Sequence, residues 1–557
     1  MTLPRNDEIF DRWRSEPAPL LPVLHALYER DGHLSEEALR AASKSLRIPI
    51  ADLFGTLTFY HFFAREPGGR GRPRVCTGPV CRLHGAEEVL EALDKALPIP
   101  CPGRCDDPIP VLRGDDVLTA SPTGALTPAI SPVPAKAPTG VVECVFAHIR
   151  EPVRATLAGY RESDGYRGLE MALSGNPGDV VELIDASGLA GRGGAGFPTG
   201  RKWRAVSEAA SEPKTVVCNA DEGEPGCFKD RALMDLDPHA VIEGMVAAGY
   251  ACGAHRGIIY LRYEYPETER ILGRAIAEAE EAGILGERVM ERNFAFRIHL
   301  RRGAGAYICG EEGSLLNSLE GKHPFPRNRP PYPVTHGFEN LPTAVNNVET
   351  LASVGPILHE GAEWYQSLGR GDHAGTKVIS LSGDIVRPGN YEVPIGLPLR
   401  ELLDDWAGGT PAGRAIQAVT MAGLSGGFLA GEDLDVTLDE PSIRSRSSFL
   451  GAGGIMVFDE TRDMVAVARD AMEFFAHESC GKCFPCRIGT RRIVERLGSG
   501  GPEDLASWVD EVTDLGQVMK ETSACGLGMA APLITESLLR YFPDQVSDHV
   551  ASLGRSG

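Results

Sequence analysis

Three cysteines at successive intervals of three, Cys480-Gly-Lys-Cys483-Phe-Pro-Cys486, and a lone Cys525 downstream carry the sharpest chemistry in this sequence. Thiolates so spaced can close around one inorganic cluster from a single short loop. The fourth ligand must then come from a distant segment, and Cys525 in Ser-Ala-Cys-Gly-Leu-Gly is the candidate. Zinc sites usually draw on two separate C-x2-C pairs or on a Cys/His mixture. The pattern therefore suits a cubane iron–sulfur cluster better than a structural zinc or four unrelated buried thiols. A cluster of that kind implies electron transfer.

A second set, Cys76-Thr-Gly-Pro-Val-Cys81 and Cys101-Pro-Gly-Arg-Cys105, forms two pairs that can bracket another centre. Ligation by thiolates alone suits either [2Fe–2S] or zinc, and spacing does not separate the two. The densest glycine run, Gly191-Arg192-Gly193-Gly194-Ala-Gly196-Phe197-Pro-Thr-Gly200, would let backbone amides approach a phosphate or a flavin. It contains G-x-G-x-x-G, but a helix-like segment precedes it rather than a strand, so a plain turn-rich loop stays open. Asn219-Ala-Asp221-Glu222-Gly-Glu224 follows an apolar strand, Thr215-Val-Val-Cys218, at the end where open α/β sheets bind ligands; a solvated acidic turn is the alternative. Tyr307-Ile-Cys309-Gly310-Glu311-Glu312 and Asn346-Asn347 are further polar clusters, each weak alone.

The elements that must position these groups read as several domains, since 557 residues exceed one core. Residues 20–28 and 36–46 have helical periodicity with Ser35 as a cap, and a helix is expected from about 85 to 97. Residues 121–140, rich in Pro, Ala, Ser and Thr, have linker composition. Helices alternating with short apolar strands suggest an α/β domain up to about 370. A strand-rich stretch then runs to about 458, and helical periodicity returns in the last hundred residues. The net charge of −21 argues against nucleic acid or an anionic membrane surface as the main partner. No apolar run is long enough to span a membrane, and the first residues lack the apolar core of a secretory signal. Thirteen cysteines in ligand-like spacings suit a reducing compartment, so a cytoplasmic location is expected.

Taken together, residues 191–202, 219–231, 303–320, 346–350 and the Cys480–Cys486 motif with Cys525 resemble the NADH-oxidising flavoprotein subunit of respiratory complex I and its soluble relatives. Residues 18–118, through Phe59-Tyr60-His61-Phe62 and the first cysteine set, resemble the small thioredoxin-like iron–sulfur subunit that partners it, here fused in front. Residues 299–320 and 525–542 look closest to the β subunit of NAD-dependent molybdenum or tungsten formate dehydrogenases. An NAD-reducing hydrogenase or an NADH:quinone oxidoreductase is the alternative.

The resemblance implies an α/β multidomain chain. Residues 1–120 would be helical and thioredoxin-like with [2Fe–2S], 121–150 a linker, 151–370 a Rossmann-like FMN/NAD domain, 371–458 a β-grasp domain, and 459–557 a helical bundle with [4Fe–4S]. It further implies that Gly191, Arg192, Gly193, Lys202, Asn219, Asp221, Glu222, Tyr307, Gly310, Glu311, Asn346 and Asn347 hold FMN. Phe197, Tyr332, Glu224 and Glu312 would form the NAD pocket, the two acids nearest the chemistry. Cys480, Cys483, Cys486 and Cys525 would ligate [4Fe–4S]; Cys76, Cys81, Cys101 and Cys105 would ligate [2Fe–2S]. The expected reaction is hydride exchange between NAD(H) and FMN, followed by single-electron steps, within a heteromeric complex whose partner is a molybdenum or tungsten α subunit or hydrogenase subunits. A flavin-free assembly subunit and a zinc-stabilised binding protein are the non-enzymatic alternatives; the intact glycine loop with Asn219, Asp221 and Glu222 argues against the first.

Overall fold

The computed structural model describes residues 3–498 and 504–553. Its N-terminal part opens with helices. The helix Leu20–Asp31 stops at Gly32, whose φ of 71° is left-handed, and Glu36–Leu46 starts where the Ser35 hydroxyl accepts from the Ala38 amide at 3.2 Å. Their apolar faces, including Leu24, Leu27, Tyr28 and Leu39, are fully buried.

A five-stranded sheet follows, built from β1 (Arg74–Cys76), β2 (Leu97–Ile99), β3 (Pro110–Arg113), β4 (Asp116–Ala120) and β5 (Leu126–Pro128). The order is β2-β1-β3-β4-β5, with only β1 and β2 parallel, as a thioredoxin-like domain requires. The helix expected near 85–97 is shorter, Ala86–Ala92. Strand β2 takes Leu97–Ile99 because pairing with β1 satisfies its backbone, a tertiary effect that local periodicity does not carry. The expected linker is also not free. It contributes β5, and Ala135, Ala137 and Val141 pack on the core of the later strand-rich domain, where the Ala135 amide bonds to Asn390 at 3.1 Å.

The central domain holds β6 (Thr215–Ala220), β7 (Arg256–Leu261), β8 (Arg297–Arg302) and β9 (Thr343–Asn347), all parallel in the order β8-β7-β6-β9. Val216, Val217, Cys218, Ile258 and Ile259 are fully buried, so the strands read as continuous apolar runs, as a sheet covered on both faces demands. The helix Pro238–Cys252 lies against the strands; Gly244 is required there because a Cβ would meet the Leu351 carbonyl at 2.0 Å.

The next domain is a mixed sheet of β10 (Thr376–Gly383), β11 (Gly389–Pro394), β12 (Ile416–Thr420), β13 (Phe428–Ala430) and β14 (Gly454–Asp459), ordered β11-β10-β14-β12-β13. Helices Met464–Glu478, Phe484–Gly498, Leu505–Thr522, Pro532–Tyr541 and Pro543–Leu553 close the chain. Among the described residues no helix is long and apolar enough to cross a membrane.

Candidate flavin and iron–sulfur sites

The parallel sheet gathers the sequence-predicted groups at its C-terminal edge. Asn219 ends β6, and Asp221, Glu222 and Glu224 continue from it. Asn346 and Asn347 end β9, and the segment 303–310 leaves β8. Asn219 Nδ2 donates to the Gly310 carbonyl at 2.8 Å and so ties the β6 and β8 ends together. The glycine run sits over the β9 end. The Arg192 amide donates to Thr350 Oγ1 at 2.8 Å, and a Cβ on Gly193 would lie 3.0 Å from that of Asn347. Gly194 and Gly196 have φ of 133° and 64° with no atom within 4 Å of an added Cβ, so this stretch is left-handed backbone beside open space. Lys202 donates to the Val345 carbonyl at 2.8 Å and stands 3.7 Å from Glu312; burial lowers its affinity for a proton. Trp203, which its sequence context does not single out, donates to Asn346 Oδ1 at 3.0 Å.

The acids divide into distinct environments. Glu222 accepts from the Asp230 and Arg231 amides at 2.9 and 3.1 Å and from Tyr265 at 3.1 Å, and burial pushes its carboxyl up to about 7. Its side chain caps the helix Lys229–Leu236, a role its position at a strand end does not announce. Glu224 accepts from the Leu424 and Ser425 amides at 2.8 and 3.1 Å, from Ser425 Oγ at 2.8 Å and from Tyr307 Oη. Both of its oxygens are therefore engaged by donors from the protein. Asp221 keeps a buried Oδ2 with no protein partner, and burial raises its carboxyl well above the usual range. Glu311 accepts from the Ser314 amide at 2.8 Å, and Arg329 pairs with Glu312 at 2.9 Å. Below the Asn347 side chain lies a buried cationic knot: Lys229 pairs with Asp230 and Glu349, each at 2.7 Å. Phe197 and Tyr332 expose about half of their surface (53% and 54%), so both rings are free to meet a ligand.

A flavin mononucleotide fits this edge on the chain's own chemistry: an open glycine-lined stretch, amide-bearing asparagines at two strand ends, and one orphaned carboxylate oxygen. The C-terminal cysteines meet a different test. Cys480, Cys483, Cys486 and Cys525 line one cavity of about 250 Å³ with Ile308, Pro326 and Lys482. Tetrahedral zinc, with Zn–S near 2.3 Å, would draw its sulfurs to within about 4 Å of one another. Among the described residues no three His, Cys, Asp or Glu side chains converge tightly enough to hold a single metal ion. Thiols ringing a void fit a cluster instead. In the N-terminal set all four thiols are buried, with Cys101 and Cys105 sulfurs 3.3 Å apart. Gly78 admits this closeness, since a Cβ there would sit 3.2 Å from that of Cys101.

The three sites adjoin. Tyr307 belongs to the flavin edge, the next residue, Ile308, lines the cluster cavity, and the Tyr307 amide donates to Glu478 at 2.9 Å, two residues before Cys480. Cys101 and Asp221 line opposite parts of one further small cavity.

Comparison with known proteins matches this layout. Residues 184–356 match the Nuo51 FMN-binding domain of the complex I 51K family, 466–549 the NADH-ubiquinone oxidoreductase-F iron-sulfur binding region, 6–107 the thioredoxin-like [2Fe-2S] ferredoxin, and 378–428 the SLBB domain. The α subunit of the NAD-reducing hydrogenase HoxS of Cupriavidus necator is 37% identical over 96% of this chain and 92% of its own length. The HndC subunit of the NADP-reducing hydrogenase of Solidesulfovibrio fructosivorans is 45% identical over 69% of this chain and 79% of its own. The corresponding flavoprotein of the NADH-quinone oxidoreductase of Rhizobium meliloti is 43% identical over 71% and 94%. The crystal structure of an NAD+-reducing [NiFe]-hydrogenase in the air-oxidized state superimposes with a TM-score of 0.79 at 30% identity, covering 97% of this chain and 94% of that one.

Proposed function

The chain belongs to the family of NADH-dehydrogenase-type flavoprotein subunits, with FMN, [4Fe–4S] and [2Fe–2S] domains, and from that premise we propose that it is the diaphorase subunit of a hydrogenase-type complex. FMN, when bound, accepts a hydride from NADH and releases the electrons singly. The chain's own residues hold and shield it. The glycine loop, Asn219, Asp221, Gly310, Asn346 and Asn347 bind FMN, with Lys202 as a nearby cation. Phe197 and Tyr332 stack on the dinucleotide, and Glu312, paired with Arg329, faces it. Cys480, Cys483, Cys486 and Cys525 hold the exit cluster; Cys76, Cys81, Cys101 and Cys105 hold a second.

The observation that carries the reading is the segment 307–308, whose first residue belongs to the flavin edge and whose second lines the cluster cavity. Purified chain supplied with FMN is expected to show a flavin spectrum and NADH-dependent reduction of a viologen or ferricyanide. Absence of both would overturn the assignment.

The partner follows a different line from the formate dehydrogenase expected from the sequence. What supports a hydrogenase partner is the end-to-end match to the HoxS α subunit, N-terminal domain included, whereas the relatives named above include no formate dehydrogenase. Affinity capture from the native source is expected to bring down a nickel–iron subunit pair. Capture of a molybdopterin subunit in its place would return the formate reading.

A further inference from the structure

Oxidation of NADH to NAD⁺ yields two electrons and one proton. The electrons have cluster sites to go to; the proton needs an exit of its own from a flavin site closed by three domains. A buried cavity of about 260 Å³ lies behind the flavin edge, and its walls include Asp221, Tyr307, Cys101, His61, Glu264 and Glu478. Two polar atoms in these walls are buried with no protein hydrogen-bond partner: Asp221 Oδ2 and His61 Nε2. Two orphaned groups lining a common polar cavity are the setting in which proteins hold an ordered water.

His61 is fixed there by the flavin-side loop. Its amide donates to the Gly305 carbonyl at 3.4 Å, and Gly305, at φ 87°, leaves the space its ring fills, since a Cβ would come within 2.5 Å of Nε2. On its far side the His61 ring lies 6.4 Å, centre to centre, from that of His477, whose side chain is 60% exposed.

We propose that Asp221, one cavity water, His61 and His477 form the proton exit of the flavin site. Resting on the diaphorase reading above, the step balances: NADH gives NAD⁺, two electrons to the two iron–sulfur centres, and one proton that passes from the flavin edge through Asp221 and the water to His61, then to His477 and solvent. The charged groups facing His61 are Glu264, 4.0 Å from Nε2 and itself paired with Arg262 at 2.9 Å, together with Glu478, His477 and Arg74. Burial lowers the proton affinity of His61, while Glu478 and Glu264 oppose that effect, which suits a carrier that holds a proton briefly.

The test is redox-difference infrared spectroscopy of the FMN-loaded full chain carrying ¹³C-labelled histidine, compared with H61Q. Reduction by NADH is expected to give an isotope-sensitive histidine band that H61Q lacks. H61Q should keep its flavin while dye reduction slows on the order of tenfold, within the range of a positioned proton-transfer group. A flavin-loaded wild-type chain with no histidine band overturns the proposal even if the variant does not fold, and so does an H61Q chain with unchanged band and rate. A chain that takes up no FMN fails earlier, and takes down the diaphorase reading and this inference together.

Discussion

The Tyr307 hydroxyl donates to the Glu224 carboxylate, which joins the segment after β8 to the one after β6. The strand-rich domain completes the grip: the Leu424 and Ser425 amides and the Ser425 hydroxyl supply the remaining donors, and Gly423, at φ 70°, lets the loop lie against Glu224, where a Cβ would come within 2.4 Å of its Cγ. Tyr307 is thus held by its side chain from two domains and by its amide from Glu478 of a third. A residue that bounds the flavin edge and precedes a wall of the cluster cavity has its position set by three domains at once.

Replacing Glu224 with Gln puts an NH₂ group against donors that need an acceptor. One buried donor left unpaired costs about 1–3 kcal/mol. The expected outcome is a lower denaturation midpoint and weaker FMN retention in E224Q, with S425A showing the same change to a smaller extent and S425T restoring it. Thermal melts with flavin fluorescence as the second readout check this; a melt and flavin content identical to wild type would show that the latch is idle.

Phe197 and Tyr332 expose hydrophobic rings beside the site, which has no folding rationale and fits a stacking surface. Removing one aromatic partner costs about 0.5–1.5 kcal/mol, so F197A is expected to raise KM for NADH by roughly two- to tenfold with kcat and melting temperature little changed. Steady-state kinetics over a range of NADH concentrations separate this from a folding defect. A fall in kcat at constant KM would place the ring elsewhere.

How much of this could be read beforehand follows from range. The Cys480–Cys486 loop and the 191–200 glycine run declare themselves because their spacing is the chemistry, within a few residues. Ser35 as a helix cap and the apolar strand at 215–218 are equally local. Ser425 lies 201 residues from Glu224, and nothing near it in sequence marks it as part of the site. The buried Lys229–Glu349 pair is hidden for the same reason. Glu222 was legible as an acid at a strand end, yet its oxygens serve the helix that follows, a use that only the turn geometry reveals.

Glu392 gives a stability change with pH whose sign can be worked out. It is buried, accepts from the Cys144, Val145 and Phe146 amides and from Thr376, and burial outweighs these donors to push its carboxyl from 4.5 up to about 7. The folded chain therefore binds a proton more tightly than the unfolded one. This contribution is fully present below about pH 4.5 and is lost as pH rises through about 7. The full span corresponds to a few kcal/mol, on the order of 1.4 per pH unit. E392Q is expected to flatten the fall in stability between pH 4.5 and 7, measured by urea denaturation at fixed ionic strength. An unchanged slope would assign it to other buried acids, such as Asp237, raised to about 6.

Cys525 stands apart from its three partners in sequence but lines the same cavity, at the start of the helix Gly526–Ala530. Exchanging its sulfur for oxygen in C525S removes one soft ligand of four and leaves the flavin edge untouched, because Cys525 lies on the cluster cavity and not among the residues of the glycine loop or the β6 end. Two electron acceptors then separate. Ferricyanide, which takes electrons from the flavin itself, should still be reduced by NADH at close to the wild-type rate. Bound iron should drop by about four atoms per chain, the content of one cubane. Electron delivery to a bound partner complex should fall sharply, because the exit beside Ile308 is gone. C76S gives the matching control on the N-terminal set, where loss of iron should be about two atoms. Iron analysis and the two acceptor assays on one preparation decide the matter: unaltered iron in C525S would remove Cys525 from the ligand set, and joint loss of both activities would mean that the cluster also supports the flavin site.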